Sequence, residues 1–190
     1  MRAARESLKG KWGLAIGTFF LYTLFTSAPG SVESQRSFPA ISSILTLLLG
    51  GPFALGAAIF SLNLSRNKEA RFEQIFLGFR NFTTTFIAYL LLLVYVLLWT
   101  LLLIVPGIIA ALGYSLTFYI IADDPGIKPQ DALWKSKNMM DGHKMKLFEL
   151  CIRFLGLAIL CILTLGIGFL WLIPYIHITM AKFYDDIKGN

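Results

Sequence analysis

The sequence predicts an all-α fold, a polytopic membrane helix bundle of six transmembrane helices arranged as three hairpins, with short interfacial amphipathic helices. Three observations predict it. Of the 190 residues, 56% are hydrophobic and 15% charged, and the mean hydropathy is +0.68, whereas a soluble domain carries roughly 25% charged residues. Such a chain lacks the polar side chains to cover a water-facing surface. The apolar residues also fall in blocks rather than stripes: from Phe82 to Ala122, 41 consecutive residues include no Asp, Glu, Lys or Arg, which only lipid accommodates. Finally, sixteen of the seventeen basic residues fall on one side of the six-span arrangement, the cytoplasmic side by the enrichment of Lys and Arg in cytoplasmic loops.

The elements follow in chain order within one membrane domain, 1–190. A basic lead-in, MRAARESLKGKW, precedes Trp12 to Ala28, read as a retained first span rather than a signal-peptide core, because Pro29-Gly30-Ser31 signals a turn without a clear small-x-small cleavage site. Phe38 to Leu64 holds Gly50-Gly51-Pro52 near its middle and at 27 residues is one kinked or tilted helix. These two spans form hairpin one, 12–64. The uncharged block would stretch about twice the roughly 30 Å hydrocarbon thickness as one helix. It therefore turns back, at Pro106-Gly107, giving spans 82–105 and 107–122 as hairpin two. Leu147 to Ala181 turns at Leu165-Gly166-Ile167-Gly168 to form hairpin three, 147–181. Only Arg36 falls outside, and both termini are cytoplasmic.

The stretches Arg71–Phe79 and Pro129–Met140 mix apolar with basic residues over two to three turns, as a helix lying among headgroups requires. The expected interfacial lipid contacts are Lys11, Trp12, Arg71, Arg80, Trp134, Lys135, Lys137 and Lys144. The hairpins also resemble one another: Gly51-Pro52-Phe53, Leu112-Gly113-Tyr114 and Ile173-Pro174-Tyr175 place successive aromatics 61 positions apart, a weak internal repeat.

Polar chemistry is sparse. The net charge of +6 is dispersed between apolar blocks with no basic arm, which argues against nucleic acid. Cys151 and Cys161, ten residues apart in an apolar block, read as buried packing residues. No phosphate loop, nucleophile elbow or His-Glu-x-x-His occurs, so no catalytic, cofactor or metal site is expected. Asp123-Asp124 and Asp185-Asp186 fall at corresponding helix ends, which favours a boundary role over paired-carboxylate chemistry. Glu149 and Arg153, at i and i+4 inside an apolar block, read as a mutually neutralising pair. With His177 in the last span they form the candidate intramembrane polar site.

From Tyr114-Ser115 onward, through Asp124-Pro125, Ala132, Ser136, Met140-Asp141-Gly142-His143-Lys144, Leu147-Phe148, Thr164 to Gly168, Leu170-Trp171, Pro174-Tyr175 and Phe183-Tyr184, the chain resembles a bacterial family of integral membrane proteins, unknown-function family 975. Leu8-Lys9-Gly10-Lys11-Trp12 is similar to the family's opening, and Arg153 departs from its small residues there. The resemblance implies a multi-pass protein of the bacterial cell membrane with no assigned reaction. The expected function is a non-catalytic accessory or regulatory membrane component, not an enzyme, with membrane lipids or another membrane protein as partner. The alternative is a small-solute or lipid transporter, which the repeat and the broken second helix would suit. A membrane-embedded enzyme ranks third, because its acid, base or nucleophile cannot be named.

Overall fold

A computed structural model describes residues 2–31, 39–164 and 166–189, with side-chain surroundings for 4–24, 44–164 and 166–189. The chain runs α1 (Arg2–Leu8), α2 (Trp12–Ser31), α3 (Pro39–Ser65), a 3-10 helix (Phe72–Asn81), α4 (Phe82–Leu102), α5 (Ile104–Tyr114), α6 (Thr117–Asp123), α7 (Pro129–Met139), α8 (Lys144–Leu163) and α9 (Phe169–Lys188). No strand occurs among the described residues, so the all-α class holds.

Among the described residues, three helical segments are long and apolar enough to cross a membrane: Ile44–Ser65, Phe72–Leu102 and Ile104–Asp123. Six such spans are not supported. The apolar stretch of α2 over its described side chains is the shorter Trp12–Leu24. α8 carries Lys144, Lys146, Glu149 and Arg153, and α9 ends with Lys182, Asp185, Asp186 and Lys188. A central Lys, Arg or Asp opposes insertion by about 2.5–3.5 kcal/mol, which keeps α8 and α9 from qualifying on apolar length and composition alone.

Hairpin one differs from expectation at its turn: α2 continues through Pro29-Gly30-Ser31 instead of stopping before it. Arg36 and Phe38 lie outside the described residues, as does Leu165 of the third turn. α3 is one uninterrupted helix with Pro52 inside it, as the sequence predicts. Its partner is the 3-10 helix, and the two meet backbone to backbone. A Cβ on Gly56 would land on the Ile75 carbonyl, and one on Gly78 on the Pro52 carbonyl. Only hydrogen fits at such crossings. Phe53 closes the seam edge-on against Phe79, 5.2 Å between centroids.

Hairpin two reverses at Leu103, not at Pro106-Gly107. Leu103 is the single extended residue between α4 and α5 (φ −162, ψ 147), and Pro106 lies within the first turn of α5. The first-turn N–H groups have no intrahelical acceptor, so proline sacrifices nothing there. Gly107 serves close approach instead, since a Cβ there would strike Thr100 of α4. The returning arm also breaks again, between α5 and α6 at Ser115-Leu116.

The turn of hairpin three falls between α8 and α9, and Gly166 holds it with a left-handed φ of +85. Among the described residues the buried side chains form two clusters. One centres on Leu116, Ile120, Ile121, Leu133, Met140 and Tyr184, the other on Leu8, Phe19, Phe60, Leu64 and Ile178. α8 joins them thinly: Leu147 and Phe154 are buried, while Ile152, Leu155, Ile159, Leu160 and Leu163 are exposed. Cys151 on this helix is exposed and Cys161 half-buried. The expectation of a buried packing cysteine therefore fails at Cys151, because only one stripe of α8 meets the bundle, while Cys161 packs half-buried against the second cluster.

Candidate functional site

At the end of α3, Arg66 reaches two carboxylates from two other helices. Its Nη1 and Nη2 donate to Asp123 at 2.6 and 3.1 Å. Its Nη2 and Nε donate to Asp185 Oδ1 at 2.6 and 3.1 Å. The planar five-donor fork of arginine makes this double bidentate grip possible. The bonds to Asp123, then those to Asp185, raise the Arg66 pKa above its ordinary value. Tyr184 Oη donates to Asp123 at 3.0 Å, and Lys188 pairs with the same carboxylate. Ser65 Oγ donates to Asp185 at 3.3 Å. Lys182 Nζ donates to the Ser65 carbonyl, a cation at a helix C-terminus where the backbone dipole favours it.

This knot gathers the ends of α3, α6 and α9, the returning arm of each expected hairpin. α1 joins the same side, Ser7 Oγ donating to the Ser65 carbonyl at 3.4 Å. So does the start of α4, Asn81 Nδ2 donating to the Pro125 carbonyl at 3.3 Å. The recurrence of aspartates at equivalent helix ends was read as a boundary role, and the structure brings Asp123 and Asp185 together on Arg66. Arg66 was missed because a basic residue after an apolar span reads first as a topology signal.

The second polar device fills the break in the returning arm. Ser136 of α7 is fully buried. Its Oγ donates to the Gly113 carbonyl at 2.8 Å and accepts from the Leu116 amide at 3.2 Å. One hydroxyl thus serves both sides of the α5–α6 gap, satisfying backbone groups that would otherwise be stranded away from water. Nothing in the sequence separates Ser136 from other serines except its place in the resemblance.

The residues singled out from sequence do not converge on one site. Glu149 and Arg153 are both exposed on α8. Among the described residues no ion pair joins them, so the expected neutralising pair does not form. α8 turns that stripe away from the bundle. His177 lies elsewhere, its ring stacked on Phe19 at 4.5 Å and edge-on to Tyr22 at 5.8 Å, while its carbonyl accepts from Tyr119 Oη at 3.3 Å. It is an aromatic packing member between α2 and α9.

The expected lipid contacts scatter around the molecule. Arg71 is exposed and pairs with exposed Glu69 at 3.0 Å, a contact of little energetic weight. Lys135 and Trp134 are exposed on α7, and Lys11 is half-buried at the start of α2. Trp12 lines a cleft of about 370 Å³ with Arg5 and Trp171, and Arg80 a cleft of about 360 Å³ with Asn81 and Ile121. Lys137 and Lys144 do come together, at a groove of about 240 Å³ whose apolar side is Trp99, Pro106, Ile109 and Ala110. Each of the three clefts thus couples apolar walls to a basic side chain.

A family model described as "Protein of unknown function (DUF975)" matches residues 1–112 and 100–190. No curated protein and no solved structure matches the chain.

Proposed function

Because the chain belongs to this family of proteins of unknown function, we propose that it is a non-catalytic, multi-pass component of the bacterial cytoplasmic membrane whose helices contact lipids or another membrane protein. In the membrane α2, α8 and α9 join the three apolar segments to make six spans in three hairpins, with both termini cytoplasmic. A 20-residue helix is about 30 Å long, which matches the lengths of α2, α8 and α9.

The Arg66 knot carries this reading. Ends of α3, α6 and α9 held on one side, beside α1 and the start of α4, are what three hairpins returning to one face require. The knot also engages Arg66, Asp123, Asp185 and Lys188 in holding helices, and Ser136 occupies the Gly113 carbonyl and Leu116 amide at the break between α5 and α6. In transporters such broken helices supply free backbone groups for solute. Here a side chain of the same protein takes them up.

The test is reconstitution of the purified protein, alone, into liposomes, with solute efflux and lipid scrambling measured against protein-free vesicles. Rates equal to the protein-free vesicles are expected. Flux or scrambling that scales with protein would replace this function with transport.

A further inference from the structure

We propose that the groove between α4, α5 and the Lys137–Lys144 lip binds one anionic phospholipid, its phosphate between the two ammonium groups and an acyl chain along Trp99, Pro106, Ile109 and Ala110. This deepens the lipid-contacting reading above and rests on it. Both wall and lip come from separate parts of the chain: Trp99 from α4, the apolar side from α5, Lys137 from α7 and Lys144 from the start of α8. α7 is anchored against this wall by the Ser136 bonds to Gly113 and Leu116, one residue from Lys137. That places Lys137 by a fixed helix rather than a loop. The Lys144 stem passes against Gly113, where a Cβ would meet Lys144 Cε at 3.9 Å.

Charge decides the occupant. Among the described residues, the carboxylate within ion-pair distance of Lys144 is Asp141, at 3.9 Å and 86% exposed, a contact readily exchanged for water or phosphate. Lys137 sits 5.6 Å above the Trp134 ring, and no ion pair is formed by it among the described residues. Two ammonium groups beside an apolar wall therefore face the groove with little internal counter-charge. From Gly113 to Pro106 the wall runs about 10 Å at 1.5 Å per residue, so the ligand must be amphiphilic, anionic at one end and apolar along that length. At about 240 Å³ the groove is smaller than the roughly 300–1,000 Å³ of enclosed small-molecule pockets. It suits a ligand whose remainder stays in the surrounding bilayer.

The test uses the full chain in detergent micelles, with native mass spectrometry and thermal stabilisation as readouts. The probes are phosphatidylglycerol, phosphatidylcholine and inorganic phosphate. Wild type should bind one phosphatidylglycerol in preference to phosphatidylcholine, and K137Q/K144Q should weaken that binding about tenfold. Ala110→Phe, which fills the wall without touching charge, should weaken both lipids. K68Q/K128Q, exposed and outside the groove, should leave binding unchanged. Undiminished phosphatidylglycerol binding by K137Q/K144Q overturns the site, as does equal loss in K68Q/K128Q. Stabilisation by inorganic phosphate that matches the lipid overturns the lipid as occupant. Preferential binding that depends on Lys137 and Lys144, together with solute flux in liposomes, would instead retain the site and refute only the non-catalytic, non-transporting role.

Discussion

Replacing Arg66 with alanine removes the cation shared by three helix ends, and the size of the loss follows from the geometry. Hydrogen bonds to charged groups contribute about 1.5–3 kcal/mol each, and breaking a buried ion pair costs about 3–5 kcal/mol. The side chains of Arg66, Asp123 and Asp185 retain 27, 13 and 27% exposure, and Lys188 and Tyr184 still serve Asp123 after the change. Both facts bring the expected loss down to about 2–3 kcal/mol, a fall in Tm of roughly 4–12 °C for a chain of this size. Arg66→Lys keeps the charge but not the fork, and should recover about half. The assay is thermal unfolding of the purified protein in detergent, followed by tryptophan fluorescence, across the cycle formed by R66A and D123N/D185N. In the D123N/D185N background R66A should cost under about 1 kcal/mol, because no carboxylate remains to be stranded. A loss as large in that background as in wild type would show that Arg66 acts through something other than these carboxylates.

Four further outcomes are expected. Gly56→Ala and Gly78→Ala, which force a Cβ onto opposing backbone, should each destabilise by about 1–3 kcal/mol or more, whereas Gly156→Ala, with open space around it, should be neutral or slightly stabilising in the same unfolding assay. Ser136→Ala should lose about 1–3 kcal/mol by removing the bridge across the α5–α6 gap; wild-type stability of S136A would show the bridge to be unimportant. In a background lacking Cys151 and Cys161, Ile167→Cys should react with an impermeant thiol reagent in intact cells and Asn138→Cys only after permeabilisation, the reverse pattern contradicting the orientation. Because Glu149 and Arg153 are exposed and unjoined, a double-mutant cycle of E149Q and R153Q should show coupling below about 0.5 kcal/mol; a coupling of several kcal/mol would mean that they meet in the membrane.

Much of the architecture was legible in the sequence for one physical reason: lipid demands long apolar runs, and such runs are conspicuous. The all-α class, the continuity of α3 through Pro52 and the turn at Gly166–Gly168 follow from length and composition. What escaped were features that depend on where elements meet. Leu103 carries no turn signature, yet it is where the chain reverses, while Pro106-Gly107 looked like a reversal and serves helix start and close packing. Glu149 and Arg153 have the right spacing for a pair, but spacing fixes only a shared helix face, and that face turns outward. Aspartates at 123 and 185 were legible as a recurrence. Their meeting at Arg66 was not, because ion pairs between residues 57 and 119 positions apart leave no local pattern. Lys137 and Lys144 were legible as separate interfacial lipid contacts, and only the fold placed both beside Trp99.

The knot also imposes an order on biogenesis. Asp123 follows Arg66 by 57 residues and Asp185 by 119, so at roughly 5–20 residues per second of synthesis the first carboxylate emerges about 3–11 s after the arginine, and the second as long again afterwards. Until then Arg66 has only lipid phosphates or water to answer its charge, and a nascent chain stalled after α6 would hold two hairpins by a half-made clasp. Arrival of the last helix is thus the moment of assembly, and a ribosome-bound intermediate lacking Asp185 should be the form most exposed to membrane proteases.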